Sequence, residues 1–175
     1  MILNFFSESK AIVEQNLELL KVFVNSNITR KYLMKLDSTQ DLLDNHFTKF
    51  VFLSSEDMLE YLSHFYKVLT IFWEVNDHID SFYKYMKPVS EFINNLVIQD
   101  SATLIQSKGD VLRVIEILNG VSQGFTNPDA FNKFFTWFHD GHSRIFDIVF
   151  ENFIDDKSVL KSTFELMKEL LDNNS

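Results

Sequence analysis

The stretch 131–153, "FNKFFTWFHDGHSRIFDIVFENF", holds seven Phe and one Trp in twenty-three residues. Phe131, Phe134, Phe135 and Phe138 recur every three or four positions, the spacing of one helical face. "HDGH" at 139–142 breaks the pattern with a polar, glycine-bearing turn, and Ile145, Val149 and Phe153 resume it. The stretch therefore reads as two amphipathic helices joined by a turn, with aromatic side chains burying a large area against a common core. Phe135 and Phe138 are expected among the buried members. Trp137 falls between stripes and is expected at an edge, where its indole nitrogen can reach a polar group or water. Phe146 and Phe150 fall on other faces, exposed or against a neighbouring unit.

The same spacing runs through the rest of the chain. Ile12, Val13, Leu17, Leu20 and Val24 make one stripe, and Leu59, Leu62, Tyr66, Leu69 and Trp73 a second. Ile79, Phe82, Tyr83, Met86, Val89, Ile93 and Leu96 make a third, Leu112, Ile115 and Leu118 a fourth, and Leu160, Phe164, Met167 and Leu171 the last. Pro88 lies inside the third stripe without breaking its phase, which predicts a kinked helix or two abutting helices. Ser9, Ser55 and Asn127-Pro128 are placed as helix starts, Asp155 or Asp156 as a further cap, and Gly124 and Gly141 as stops. Ser9, Ser55 and Ser101, read as first-turn serines, are separated by 46 residues each time. That interval fits two helices and a turn, the period of HEAT-type repeats. The pattern predicts a single all-α unit over 1–175, with about four antiparallel hairpins stacked side by side.

Composition agrees. Nineteen Phe stand against four Gly and two Pro in 175 residues, too few breakers for a many-stranded sheet. There is no Cys, which removes disulfides and thiolate metal sites. The net charge of −9, with sixteen dispersed basic residues, disfavours a nucleic-acid groove and suits basic protein partners. No apolar run approaches the ~18–20 residues that cross a bilayer.

Candidate chemistry is sparse. His139, Asp140 and His142 could ligate zinc, but a spacing of three across Gly141 reads better as a polar turn. Glu60 and His64, and Glu74 and His78, stand four apart, the spacing of ordinary helix-surface pairs and not of diiron Glu-x-x-His motifs. The four glycines are too dispersed for a phosphate loop, and no G-x-S-x-G elbow occurs. No catalytic residue, metal ligand or cofactor site is assigned, so the chain is read as a non-enzyme.

"NLELLKVFVNSNITRKYLMKLDSTQDLLDNHFTKFVFL" at 16–53 resembles a segment of the exportin-7, or Ran-binding protein 16 and 17, group of importin-β-type nuclear transport receptors. "MLEYLSHFYKVLTIFWEVNDHIDSFYKYMKPVSEFINNL" at 58–96, "VLRVIEILNGVSQGFTNPDAFNKFFTWF" at 111–138 and "VLKSTFELMKELLDNNS" at 159–175 resemble the same receptors in order. The turn "VNSNI" at 24–28 departs from the family by lacking a glycine. The resemblance implies a right-handed superhelical stack of helical hairpins, the HEAT-like, armadillo-type α-solenoid of karyopherins. It maps the chain to the C-terminal half of receptors several times longer. It implies a part in exportin-mediated protein transport, with Ran-GTP held mainly by repeats outside this chain. Cargo proteins and phenylalanine-glycine nucleoporins are the other implied partners, and shuttling between cytoplasm and nucleus the implied location. A stand-alone helical scaffold or a metal-binding bundle built on His139, Asp140 and His142 or on Glu60 and His64 is the competing expectation.

Overall fold

A computed structural model of the chain describes residues 9–50, 53, 55–74 and 79–172. Among them are ten α-helices and no strand. They are α1 (Lys10–Asn25), α2 (Asn27–Leu33), α3 (Asp37–Lys49), α4 (Leu59–Trp73), α5 (Ile79–Val97), α6 (Ser101–Gln106), α7 (Lys108–Gly124), α8 (Pro128–Gly141), α9 (Ile145–Asn152) and α10 (Lys157–Asp172). Helix α4 is entered through a 3-10 turn, Glu56–Met58.

The packing is serial. Helix α1 lies on α4, α4 on α7, and α7 on α10. These four helices begin at Lys10, Leu59, Lys108 and Lys157, 49 residues apart each time. Around this row, α3 meets α5, α5 meets α9, and the short α6 meets both α7 and α9. The ten helices thus pack together in a way compatible with an α-solenoid.

The stripes explain the row. Leu17, Tyr66 and Ile115 occupy one position at successive 49-residue steps, and all three are buried. Val13, Leu62 and Val111 do the same, as do Val24, Trp73 and Ser122. A second set, Val68 with Ile117 and Leu166, and Phe72 with Val121 and Leu170, is buried on the opposite side of each helix. Each interior helix therefore carries two apolar stripes, one for each neighbour. Such burial contributes about 1.5–3 kcal/mol per large side chain, which offsets the conformational entropy lost on ordering.

Helices α4 and α7 make the tightest pair. A Cβ on Gly120 would stand 2.2 Å from the Ser63 carbonyl oxygen and 2.8 Å from the Tyr66 Cβ. One on Gly124 would stand 2.5 Å from the Thr70 Cβ and 2.6 Å from the Lys67 carbonyl. The missing side chains are what let the two backbones approach. Gly124 was expected as a stop, and it does end α7, but its role is close approach. No described glycine has the left-handed backbone of a C-terminal cap.

The helix starts match in part. Asn127 caps α8, its Oδ1 accepting from the Asp129 amide at 2.9 Å, with Pro128 first in the helix. Asp156 caps α10, accepting from Ser158 N at 3.0 Å and Val159 N at 3.2 Å. Ser9 precedes α1, where its carbonyl accepts from Ile12 and Val13. The interval drawn from Ser101 is a correction. Ser101 is in the first turn of a helix as expected, but the helix it opens is the short α6 and not a helix of the row, and Asp100 is the cap, accepting from Thr103 N at 3.0 Å. An aspartate before a serine takes the capping position because its carboxylate reaches the free amide with full charge. The row helix that follows starts at Lys108, so the step between row helices is 49 residues, not 46. Helix α5 continues through Pro88 as a single helix.

The aromatic stretch is core in the main. Phe131, Phe134 and Phe138 are buried, and Phe82 of α5 meets Phe134 and Trp137 edge-on at 6.3 and 5.6 Å. Phe146 packs edge-on to Phe138 at 5.4 Å, and Phe150 is exposed. Trp137 is half-buried at the margin, as expected of a residue between stripes. Phe135 is a correction, because it is half-buried and stacks on the exposed His139 ring. At about 100° per residue Phe135 falls at the edge of the stripe that Phe131, Phe134 and Phe138 form.

Candidate functional site

A polar concavity lies along the row. It is a cleft of about 380 Å³ lined by Glu60, Ser63 and His64 of α4, Glu116 and Gln123 of α7, and Lys161, Ser162 and Glu165 of α10. Glu116 and Glu165 are one 49-residue step apart, so α7 and α10 place a carboxylate at the same position, where α4 has Lys67. The row turns these residues to one side because they occupy helix positions between the two apolar stripes.

The floor of the cleft is hydrogen-bonded. The Ser162 hydroxyl donates to Glu116 Oε1 at 2.6 Å, and Asn119 Nδ2 donates to the Ser162 carbonyl at 3.0 Å. Burial raises the Glu116 carboxyl above its ordinary value, partly offset by the Ser162 bond, and the nearby Glu165 charge raises it further. Three glutamates against one lysine make the cleft acidic. A cleft of this charge favours an ammonium or guanidinium group over an anion.

Glu60 and His64 both line the cleft. Glu74 instead reaches across to the start of α8, accepting from Thr126 N, Asn127 N and the Thr126 hydroxyl at 2.6, 2.9 and 2.7 Å. Its expected partner His78 lies outside the described residues.

The two histidines of the 139–142 turn part company. His142 is buried between α5 and α8, with Nε2 2.9 Å from the Ser90 hydroxyl and its ring 4.2 Å from that of Trp137. Its burial lowers the imidazole below its ordinary value. His139 points outward and meets Asp140 at 2.9 Å. Among the described residues no three His, Asp or Glu side chains converge to hold a metal ion, and no helix is long and apolar enough to cross a membrane.

Two polar groups that composition did not single out tie the layers together. His46 follows a break at Asn45 (φ −120°, ψ 15°) that bends α3. Its Nδ1 is 2.8 Å from the Tyr66 hydroxyl and its Nε2 2.8 Å from the Tyr85 carbonyl. A neutral ring with the proton on Nε2 satisfies both, donating to the carbonyl and accepting from the phenol. Burial depresses its pKa from 6.5 to about 4. Arg113 donates to the Phe47 carbonyl at 3.0 Å and lies over the Phe47 ring at 4.1 Å, pinning the C-terminal end of α3. A His or Arg in an otherwise apolar stripe is the sequence signal for such a tie, but its partner lies on another helix.

No family model, no curated protein and no solved structure matches the chain.

Proposed function

We propose that the chain is a segment of a nuclear transport receptor of the exportin type, a right-handed superhelix of helical hairpins that acts through its surfaces and catalyses no reaction. The observation that carries this reading is the row α1, α4, α7, α10, in which two apolar stripes recur at a constant 49-residue step. A closed bundle gives no reason for such a constant step, whereas a stacked array requires it. The collinear resemblance over 16–53, 58–96, 111–138 and 159–175 supplies the transport function. The acidic cleft spanning α4, α7 and α10 supports a basic protein partner, because three glutamates line it against one lysine. In this reading Ran-GTP is bound chiefly by other repeats of the longer receptor, and phenylalanine-glycine nucleoporins and cargo are the further partners. A stacked array bends by small adjustments at each unit, which lets one surface fit several partners.

Passage through the pore is the test. The full-length protein containing this segment, enlarged with a fluorescent fusion beyond passive diffusion, is added to permeabilised cells. Entry into nuclei without added receptor is expected. Exclusion, matching an inert fusion of equal size, contradicts the reading.

A further inference from the structure

Helix α3 is held to the fold by few side chains. It buries Thr39, Leu42, Leu43 and His46, against ten residues of α4 and eleven of α7. Its last turn is set off by the break at Asn45. His46 joins it to two helices at once, through the Tyr66 hydroxyl of α4 and the Tyr85 carbonyl of α5, each at 2.8 Å. The His46 ring also meets Tyr66 edge-on at 5.3 Å and Trp73 at 5.8 Å, and Trp73 stacks on Tyr85 at 5.8 Å. Helix α3 thus covers an aromatic face made by α4 and α5. The bridge works in one protonation state. A proton on Nδ1 sets donor against donor, and the buried Tyr66 hydroxyl has no other hydrogen-bond partner among the described residues. The charged groups around the ring are no better suited. Asp44 on α3 is paired with Lys84 of α5, and Arg113 of α7 acts on Tyr66 and holds the Phe47 carbonyl, beside His46. Tyr66 and Tyr85, the other titratable groups there, are neutral phenols whose pKa values burial raises. An imidazolium would therefore face two cations and one carboxylate already engaged.

We propose that α3 is an acid-labile flap: a proton taken up by His46 releases α3 and bares the face of Tyr66, Trp73 and Tyr85, while α4, α7 and α10 stay assembled. The released element is the one with the fewest buried side chains, as local opening requires. The row does not share the weakness. Its closest joint, Gly120 against the Ser63 carbonyl, carries no titrating group. Asp156, paired with Lys108 and held well below the usual carboxylate range, keeps its charge in mild acid. Burial takes the His46 pKa from 6.5 to about 4, so the folded form with α3 closed resists the proton that the open form accepts. The opening equilibrium then rises about tenfold for each pH unit between about 6.5 and about 4, and α3 stays closed above that window. The other buried histidine, His142, bonds Ser90 and packs on Trp137, so its proton acts between α5 and α8. This inference stands independently of the transport reading.

Hydrogen exchange of the intact chain, read by mass spectrometry between about pH 7 and 4.5 and corrected for the intrinsic pH dependence of exchange, tests this. The α3 amides should lose protection by about tenfold per pH unit below about 6.5, while those of α7 and α10 keep theirs. His46→Gln should remove the pH dependence at α3, and His142→Gln should leave it in place. A measurement on the unmodified chain needs no variant to fold: the carbon-bound ring protons of His46, followed by NMR, should titrate near pH 4. Protection of α3 that is unchanged at pH 4.5 overturns the proposal. So does a loss at α7 and α10 in step with α3, a His46 ring that titrates near 6.5, or a pH dependence that survives His46→Gln.

Discussion

Replacing Gly120 by Ala tests the closest contact in the fold. In an exposed helix interior, Gly→Ala stabilises by about 0.8–1 kcal/mol, because Gly is the freer residue in the unfolded chain. Gly120 sits well inside α7, so that gain applies. Against it stands a Cβ only 2.2 Å from the Ser63 carbonyl oxygen, which belongs to the backbone of α4 and cannot rotate away. Overpacking of this kind costs about 1–3 kcal/mol, and backbone on backbone belongs at the upper end. The net expectation is a loss of about 2 kcal/mol, which for a domain of this size lowers the melting temperature by about 4–8 °C. Gly109→Ala is the internal control. It lies in the same helix with no atom within 4 Å of the added Cβ, so it should be neutral or slightly stabilising. Urea and thermal unfolding of both variants beside the unmodified chain decide the matter. If Gly120→Ala is as stable as Gly109→Ala, α7 does not lie against α4 as described, and the stacking argument fails at its tightest joint.

Other outcomes follow from the same packing. Phe138→Ala should cost about 3–5 kcal/mol in urea unfolding, while Phe150→Ala, at an exposed position, should shift the midpoint far less. His46 has a folded pKa depressed to about 4, below its unfolded value near 6.5. The unfolded chain then binds the extra proton, so the His46 contribution is complete above pH ~6.5 and is lost as pH falls towards 4. Stability measured across that window should fall with pH, and His46→Gln should flatten the slope. His142, also lowered by burial, adds in the same direction. Zinc added to the purified chain should leave its melting temperature unchanged, because His139 and His142 face opposite ways; a stoichiometric rise lost in His139→Ala would reverse that conclusion.

Much of the fold could be read along the chain because the apolar stripes are local. Leu17, Tyr66, Ile115 and Phe164 all stood in those stripes, already 49 residues apart. The serines gave a shorter interval because Ser101 opens the short α6, one helix ahead of α7. A cap depends on one side chain and can move by a turn, whereas a stripe is held by every residue that packs in it. Phe135 misled for a related reason, since its spacing belongs to the helix but its burial depends on how much of that face α5 covers. The cleft was only half legible. Glu60 and His64 share a helix and could be paired by spacing, but Glu116, Lys161 and Ser162 join them only through packing at separations no helical period encodes. Gly120 and Gly124, four apart on one face, carried the signal of a close approach, but Gly124 was read as a stop.

The transport reading turns most directly on Ran. The full-length protein containing this segment is captured on a surface and exposed to Ran loaded with a non-hydrolysable GTP analogue or with GDP. Tight binding of the GTP form, and little of the GDP form, is the result predicted for an exportin-type receptor. Absence of binding, or equal binding of both forms, would contradict it.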